Sequence, residues 1–208
     1  MNILVVAATK LEILPFLDTN KNTDVLITGI GIPATVFQLT KKLLEKKYDI
    51  ILQAGIAGSF NHSGNLGEVF IVKRDAFGDL GIYQDGIFRT PADAGFGNEN
   101  DFPFENGWLV NKNIDSMNFR LPAADSLTIN MITDDNKRIN VLQKRFNAGI
   151  ETMEGAAFHY VCLQQQQDFL QLRSISNYVG ESDRKKWKMK EAIQNLNEEL
   201  LKIIQQFT

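Results

Sequence analysis

The chain has 208 residues, 44 % of them hydrophobic and 23 % charged, which is enough to bury one sizeable core and excludes both a disordered tail and a small disulfide scaffold. A net charge of −3, with basic residues dispersed apart from a short cluster around Arg184 to Lys190, argues against a nucleic-acid partner. A lone cysteine, Cys162, cannot form an internal disulfide; MNILVVAATK carries no basic leader, and no run reaches the roughly 20 apolar residues of a membrane span, so a soluble cytoplasmic protein is expected.

In chain order, short β-branched runs alternate with helical patterns, the punctuation of an α/β fold. ILVVAA (residues 3–8) reads as a strand, LEILPFL as a helix start and DVLITGIG (24–31) as a second strand. Pro33 suits the first turn of a helix whose apolar positions Val36, Leu39, Leu43 and Leu44 recur at helical spacing. DIILQAGIAGSF (49–60) is a continuous apolar strand closing in a glycine turn, the form of a central strand covered on both faces. EVFIVKRDAF (68–77) is another strand. From Gly78 to Pro122 the chain is rich in Gly, Asn, Asp, Pro and Phe and lacks periodicity, so it reads as loops with a short helix over WLVNKNI. SLTINMIT (126–133) reads as a strand, DNKRINVLQKRF as a helix, ETMEGAAFHYVCLQQQ from Glu151 as a buried helix, FLQLRSISN (169–177) as a strand and KWKMKEAIQNLNEELLKIIQQF as a closing amphipathic helix.

Several residues invite chemistry, each beside a plainer reading. In QAGIAGSF, glycines at the carboxyl end of a buried strand leave backbone N–H groups open where ligands bind in such sheets; a tight turn explains them equally well. No Lys follows, so this is not a phosphate loop. Glu12 lies beyond the first strand, at the same sheet end if the strands are parallel, or is simply a helix-start carboxylate favoured by the macrodipole. Glu154 sits among Met153, Gly155, Ala156 and Ala157, where an unpaired charge is costly and a ligand hydroxyl is a candidate partner. Alternation in RSISN points Arg173, Ile175 and Asn177 one way and Ser174 and Ser176 the other, although a strand-end Asn is also a common turn former. His62 and His159 stand alone without ligand spacing, so neither a metal nor a cofactor is expected.

Taken in order, MNILVVAATKLE, GIGIPAT, QAGIAGSF followed by GNLGEVFIV, ETMEGAAF and RSISN make the chain resemble the nucleoside phosphorylase and nucleosidase superfamily over nearly its whole length. Within it, FGDLG, MEG and the tail SNYVGESDRKKWKMKEAIQNL are most similar to the futalosine hydrolases, nucleosidases of an alternative menaquinone pathway. The resemblance implies one domain over residues 1–208, built as a three-layer sandwich with a central mixed sheet flanked by helices. It also implies a small nucleoside substrate, hypoxanthine as the released base, and a homodimer or higher homo-oligomer.

Residue by residue, it puts Glu12 near the attacking water with Arg173 helping to hold that water. Glu154 grips the ribose hydroxyls and Met153 packs beneath the ring. Ile132 and Thr133 sandwich the purine, Ile56, Ala57 and Gly58 belong to the substrate cleft, and Asn177 stands where adenine-specific nucleosidases carry an aspartate. The amide of Asn177 matches a 6-oxopurine, donating to O6 and accepting from a protonated N7. Where phosphorylases hold phosphate with an arginine and a serine, this chain has Gln53 and Ile56, and Ile56 also removes a hydroxyl that methylthioadenosine nucleosidases use on the water. The nearest alternatives are a phosphorylase or an adenine-type nucleosidase; retention of Glu12 and Glu154 argues against a non-catalytic nucleoside-binding protein. The aromatic segment from Gly81 to Trp108 is expected either to close over the 5′ end of the substrate, with Arg89 a candidate for its carboxylate, or to form a satellite cluster tying a loop down.

Overall fold

The computed structural model describes residues 1–20, 22–114 and 119–207. Strand β1 (Ile3–Ala7) is buried at every position, and its alternation divides the interior. Ile3, Val5 and Ala7 enter one cluster with Phe16, Leu196 and Leu200, whereas Leu4 and Val6 enter another with Leu39, Leu43, Phe158 and Cys162. Successive side chains leave a strand on opposite faces, so a strand apolar throughout needs helices on both. They are α1 (Leu14–Thr19) and α5 (Met189–Gln206) on the first face, α2 (Ile32–Glu45) and α4 (Gly155–Gln164) on the second.

Between these layers lies a mixed sheet in which β1 pairs with β2 (Asp24–Ile27) and β3 (Ile50–Ser59). It continues through β4 (Val69–Phe77), β7 (Leu109–Val110), β8 (Ala123–Thr128), β9 (Ile150–Thr152) and β10 (Phe169–Tyr178). Strand β3 runs parallel to β1 and β10 and meets β9 antiparallel at Gly58 and Ser59, so β3, β10, β4, β8 and β9 close on themselves. The outcome is the three-layer α/β arrangement that the resemblance implies. No helix among the described residues is long and apolar enough to cross a membrane.

Five local expectations fail. Residues 55–58 are not a turn: β3 continues to Ser59 because β10 pairs with it on one side and β9 on the other. The segment after Gly78 is not all loop, since β5 (Ile82–Gln84) and β6 (Ile87–Arg89) form a hairpin across Asp85 and Gly86, both at positive φ. Asp-Gly is the residue pair that a two-residue hairpin turn favours. Within WLVNKNI, Leu109 and Val110 form β7 against Arg74 and Asp75 of β4 where the short helix was expected. The strand read over 126–133 starts at Ala123 and ends at Thr128, and Glu151 belongs to β9, so the following helix starts only at Gly155. Helix α3 (Asn136–Phe146) begins as expected, its Asp135 cap accepting from Lys137 N–H.

Candidate active site

The carboxyl ends of β1, β3 and β10 and the β9–α4 junction open into one cavity of about 270 Å³. Of the residues singled out from sequence, Glu12, Ile56, Ala57, Gly58, Ile132, Met153, Glu154 and Asn177 line it. Thr133 does not; its hydroxyl accepts from Asp135 N–H in a turn beyond β8. No residue from 81 to 108 lines it either, and Arg89 is exposed on the hairpin. Phe88 and Trp108 pack with Leu127, Ile129 and Leu142, the satellite-cluster reading of that segment.

Glu12 and Glu154 are both buried, 7 % and 5 % exposed, yet face the cavity. Glu12 Oε2 accepts from the N–H and the hydroxyl of Thr9, each at 2.9 Å, and Oε1 accepts from Ile56 N–H at 3.2 Å. Its backbone is pinned from α5, where the buried Asn197 amide donates to Glu12 O and accepts from Phe16 N–H. Glu154 Oε1 accepts from Gly31 N–H at 3.0 Å. Gly31 sits at φ 90°, which glycine adopts without a steric cost, so the GIG turn is what aims this donor. Burial raises the Glu154 carboxyl above its ordinary range, and the nearby Arg173 guanidinium opposes the rise.

Arg173 is 1 % exposed and absent from the cavity lining; it lies behind the two carboxylates. Its Nη2 donates to Gln53 Oε1 at 2.9 Å, and Nη1 stands 3.7 Å from Glu154 Oε2. A Cβ at Gly55 would overlap Arg173 Nη1, so this glycine is required by the guanidinium packed against it. Arg173 thus backs the Glu154 carboxylate from inside the fold and is itself held by Gln53.

The strict alternation expected in RSISN breaks at a register shift between Ile175 and Asn177, and Ser176 lines the cavity beside Asn177. A bulge of this kind re-aims side chains at a strand end. Asn177 Oδ1 accepts from the Ser176 hydroxyl at 2.8 Å and Nδ2 donates to Tyr178 O at 3.0 Å, which leaves one amide N–H and one Oδ1 lone pair over. Sequence reasoning also missed Thr9, Thr152 and Trp187 in the lining. Thr9 carried a signal, lying three residues before Glu12 where a hydroxyl can bond to the carboxylate.

A second polar layer supports the first from below. Asp75 is fully buried, accepts from Thr128 Oγ1 at 2.9 Å and from Gln171 Nε2 at 3.2 Å, and burial pushes its carboxyl up to about 6. The Thr128 hydroxyl accepts from Ala156 N–H at 2.7 Å, so Asp75 and Thr128 together hold the start of α4 and with it Glu154. A Cβ at Gly155 would overlap both Asp75 Oδ2 and Gln171 Nε2. Gly155→Ala is thus expected to cost about 1–3 kcal/mol through overpacking. Urea denaturation checks this, and an unchanged midpoint would show that the layer yields freely.

A family model described as the phosphorylase superfamily matches residues 19–207. The chain belongs to the phosphorylase superfamily. Among individual superfamily proteins, it is 30 % identical over 176 residues to a futalosine hydrolase of Thermus thermophilus, covering 82 % of this chain and 76 % of that one. A futalosine hydrolase of Streptomyces coelicolor is 28 % identical over 187 residues, covering 86 % and 77 %. In fold, this superfamily member is similar to the 5′-methylthioadenosine/S-adenosylhomocysteine nucleosidase of Neisseria meningitidis in complex with methylthio-immucillin-A, with TM-score 0.80, 16 % identity and 97 % of each chain covered. It is equally similar to the native futalosine hydrolase of Helicobacter pylori, with TM-score 0.79, 17 % identity and coverage of 98 % and 97 %.

Proposed function

We propose that this protein is a futalosine hydrolase, a nucleosidase that cleaves the N-glycosidic bond of futalosine with water and releases hypoxanthine in menaquinone biosynthesis. One observation carries the choice of water over phosphate. The described lining of the cavity holds the carboxylates of Glu12 and Glu154 and the carboxyl of Glu151, and no Lys, Arg or His. A phosphate there would face negative charge at short range in a poorly hydrated site, whereas a sugar developing positive charge is stabilised by it. The similarity to curated futalosine hydrolases over most of the chain supports the substrate.

The chemistry divides among fixed groups. Cleavage passes through an oxocarbenium-like state, with the bond to the base largely broken before water adds to the sugar. A carboxylate accepts hydrogen bonds in about four directions, and three protein donors occupy Glu12, which leaves one for a water. Glu12 takes that water's proton. Glu154, held by Gly31 N–H and backed by Arg173, accepts from the ribose hydroxyls, and Met153 packs against the sugar. Ile56 and Ile132 offer apolar surface to the base while Asn177 holds its O6 edge.

The deciding assay incubates the protein with futalosine, inosine and methylthioadenosine, with and without phosphate, and follows free base. Hypoxanthine is expected from futalosine at a rate that neither added phosphate nor EDTA changes. The second expectation rests on the lack, among the described residues, of any group of three His, Cys, Asp or Glu side chains placed to hold a metal. Strict phosphate dependence would overturn the reading in favour of a phosphorylase.

A further inference from the structure

Glu151 has no task in this scheme, yet it lines the same cavity, is 7 % exposed, and its buried Oε2 has no hydrogen-bond partner among the described residues. A buried carboxyl oxygen without a partner is costly and calls for one that the protein does not itself supply. Register fixes where Glu151 stands. Gly58 of β3 is paired with Glu151 of β9 on one side and with Asn177 of β10 on the other. The two polar side chains thus rise two strand spacings apart, about 10 Å, over a residue with no side chain of its own. A Cβ at Gly58 would press on Val179 and reach the Asn177 amide, so a side chain there would crowd the Asn177 end of the floor between them. A flat heterocycle lying edge-on there would meet Asn177 at one edge and Glu151 at the other.

That placement matters because Asn177 has no proton to give: an amide does not titrate near neutral pH. A purine leaving with the electron pair of the broken C–N bond departs far more readily once a ring nitrogen is protonated. On the edge away from O6 and N7, the 6-oxopurine nitrogen with a free lone pair is N3, since N1 already bears hydrogen. We propose, building on the nucleosidase reading, that Glu151 is the general acid of the reaction. As C1′–N9 breaks and its electron pair passes into the base, the Glu151 carboxyl transfers its proton to N3, and the water that adds to C1′ gives its proton to Glu12. Both acids return to their starting states by exchange with solvent as the products leave.

The surroundings suit the role. Burial pushes the Glu151 carboxyl up to about 7, Arg138 of α3 opposes the rise and Asp79 of the turn after β4 adds to it, while Glu12 and Glu154 are the other acids in the cavity. A group poised there is protonated in much of the population near neutral pH and still a competent donor. Activity that needs the protonated form falls as pH rises through about 7.

The test compares wild type and Glu151→Gln on a 6-oxopurine nucleoside and on the same nucleoside methylated at N7, whose base leaves neutral without receiving a proton. Glu151→Gln is expected to lower kcat on the unmethylated substrate by about 10²–10⁴-fold and to abolish the alkaline decline, while hydrolysing the methylated substrate nearly as fast as wild type. Glu151→Asp, with a shorter acid, is expected to keep an alkaline decline at a displaced pH. Equal losses on both substrates, or an unaltered alkaline limb in Glu151→Gln, overturn the proposal. A wild type that releases base from neither substrate instead overturns the hydrolase reading, and this role with it.

Discussion

Glu12→Gln is expected to lower kcat for base release by about 10²–10⁴-fold while nucleoside affinity stays largely intact, the usual size of a lost general base. The carboxylate is held at both oxygens by donors, Thr9 on Oε2 and Ile56 N–H on Oε1. A glutamine keeps the shape but sets its NH₂ against one of those N–H groups, and it has no basic oxygen of comparable strength to take a proton from water. Glu154→Gln is expected to behave differently, weakening affinity as well as rate. Its carboxylate faces the place of the ribose hydroxyls and balances the guanidinium of Arg173, 3.7 Å away and otherwise buried. Steady-state kinetics paired with calorimetric binding of an uncleaved nucleoside analogue separates the two patterns. A Glu12→Gln protein turning over at the native rate would end its assignment to the water.

The contrast between these two glutamates also shows how far sequence carries. The long apolar strands were legible because burial on both faces leaves no polar alternation, as in β1 and β3. Helical periodicity likewise gave α2, α3 and α5 nearly to their ends. What failed depended on pairing between distant segments. Ile150 to Thr152 reads as a helix start until β8 and β3 offer it ladders on both sides, and that pairing turns Glu151 from a helix residue into a cavity wall. The inward lie of Arg173 was not legible either, because it depends on Gly55, whose missing side chain leaves room for the guanidinium behind the carboxylates. The Asp85–Gly86 hairpin was written locally and was overlooked in a segment dominated by turn formers. The Ser176 position came from a bulge, which no period-two pattern contains.

That bulge bears on the choice of base. With one lone pair of Asn177 Oδ1 facing the Ser176 hydroxyl and one amide hydrogen given to Tyr178 O, Asn177 keeps its other Oδ1 lone pair and one donor for a ligand, the second amide hydrogen. It matches O6 of hypoxanthine and opposes the amino group of a 6-aminopurine, donor against donor, in a cavity whose walls at Ile56, Ala57 and Met153 are apolar. An unmatched buried donor costs about 1–3 kcal/mol, roughly ten- to 150-fold in discrimination. Asn177→Asp is therefore expected to shift kcat/KM toward the 6-amino analogue of futalosine by a factor of that order, because a carboxylate accepts from the amino group. The substitution also sets a carboxyl oxygen against Tyr178 O and is expected to slow the enzyme on both substrates. That loss cancels in the ratio, since each protein is compared with itself. Competing futalosine against its 6-amino analogue in one reaction measures the ratio directly, and the same ratio in both proteins would remove Asn177 from base selection and leave the choice to the edge held by Glu151.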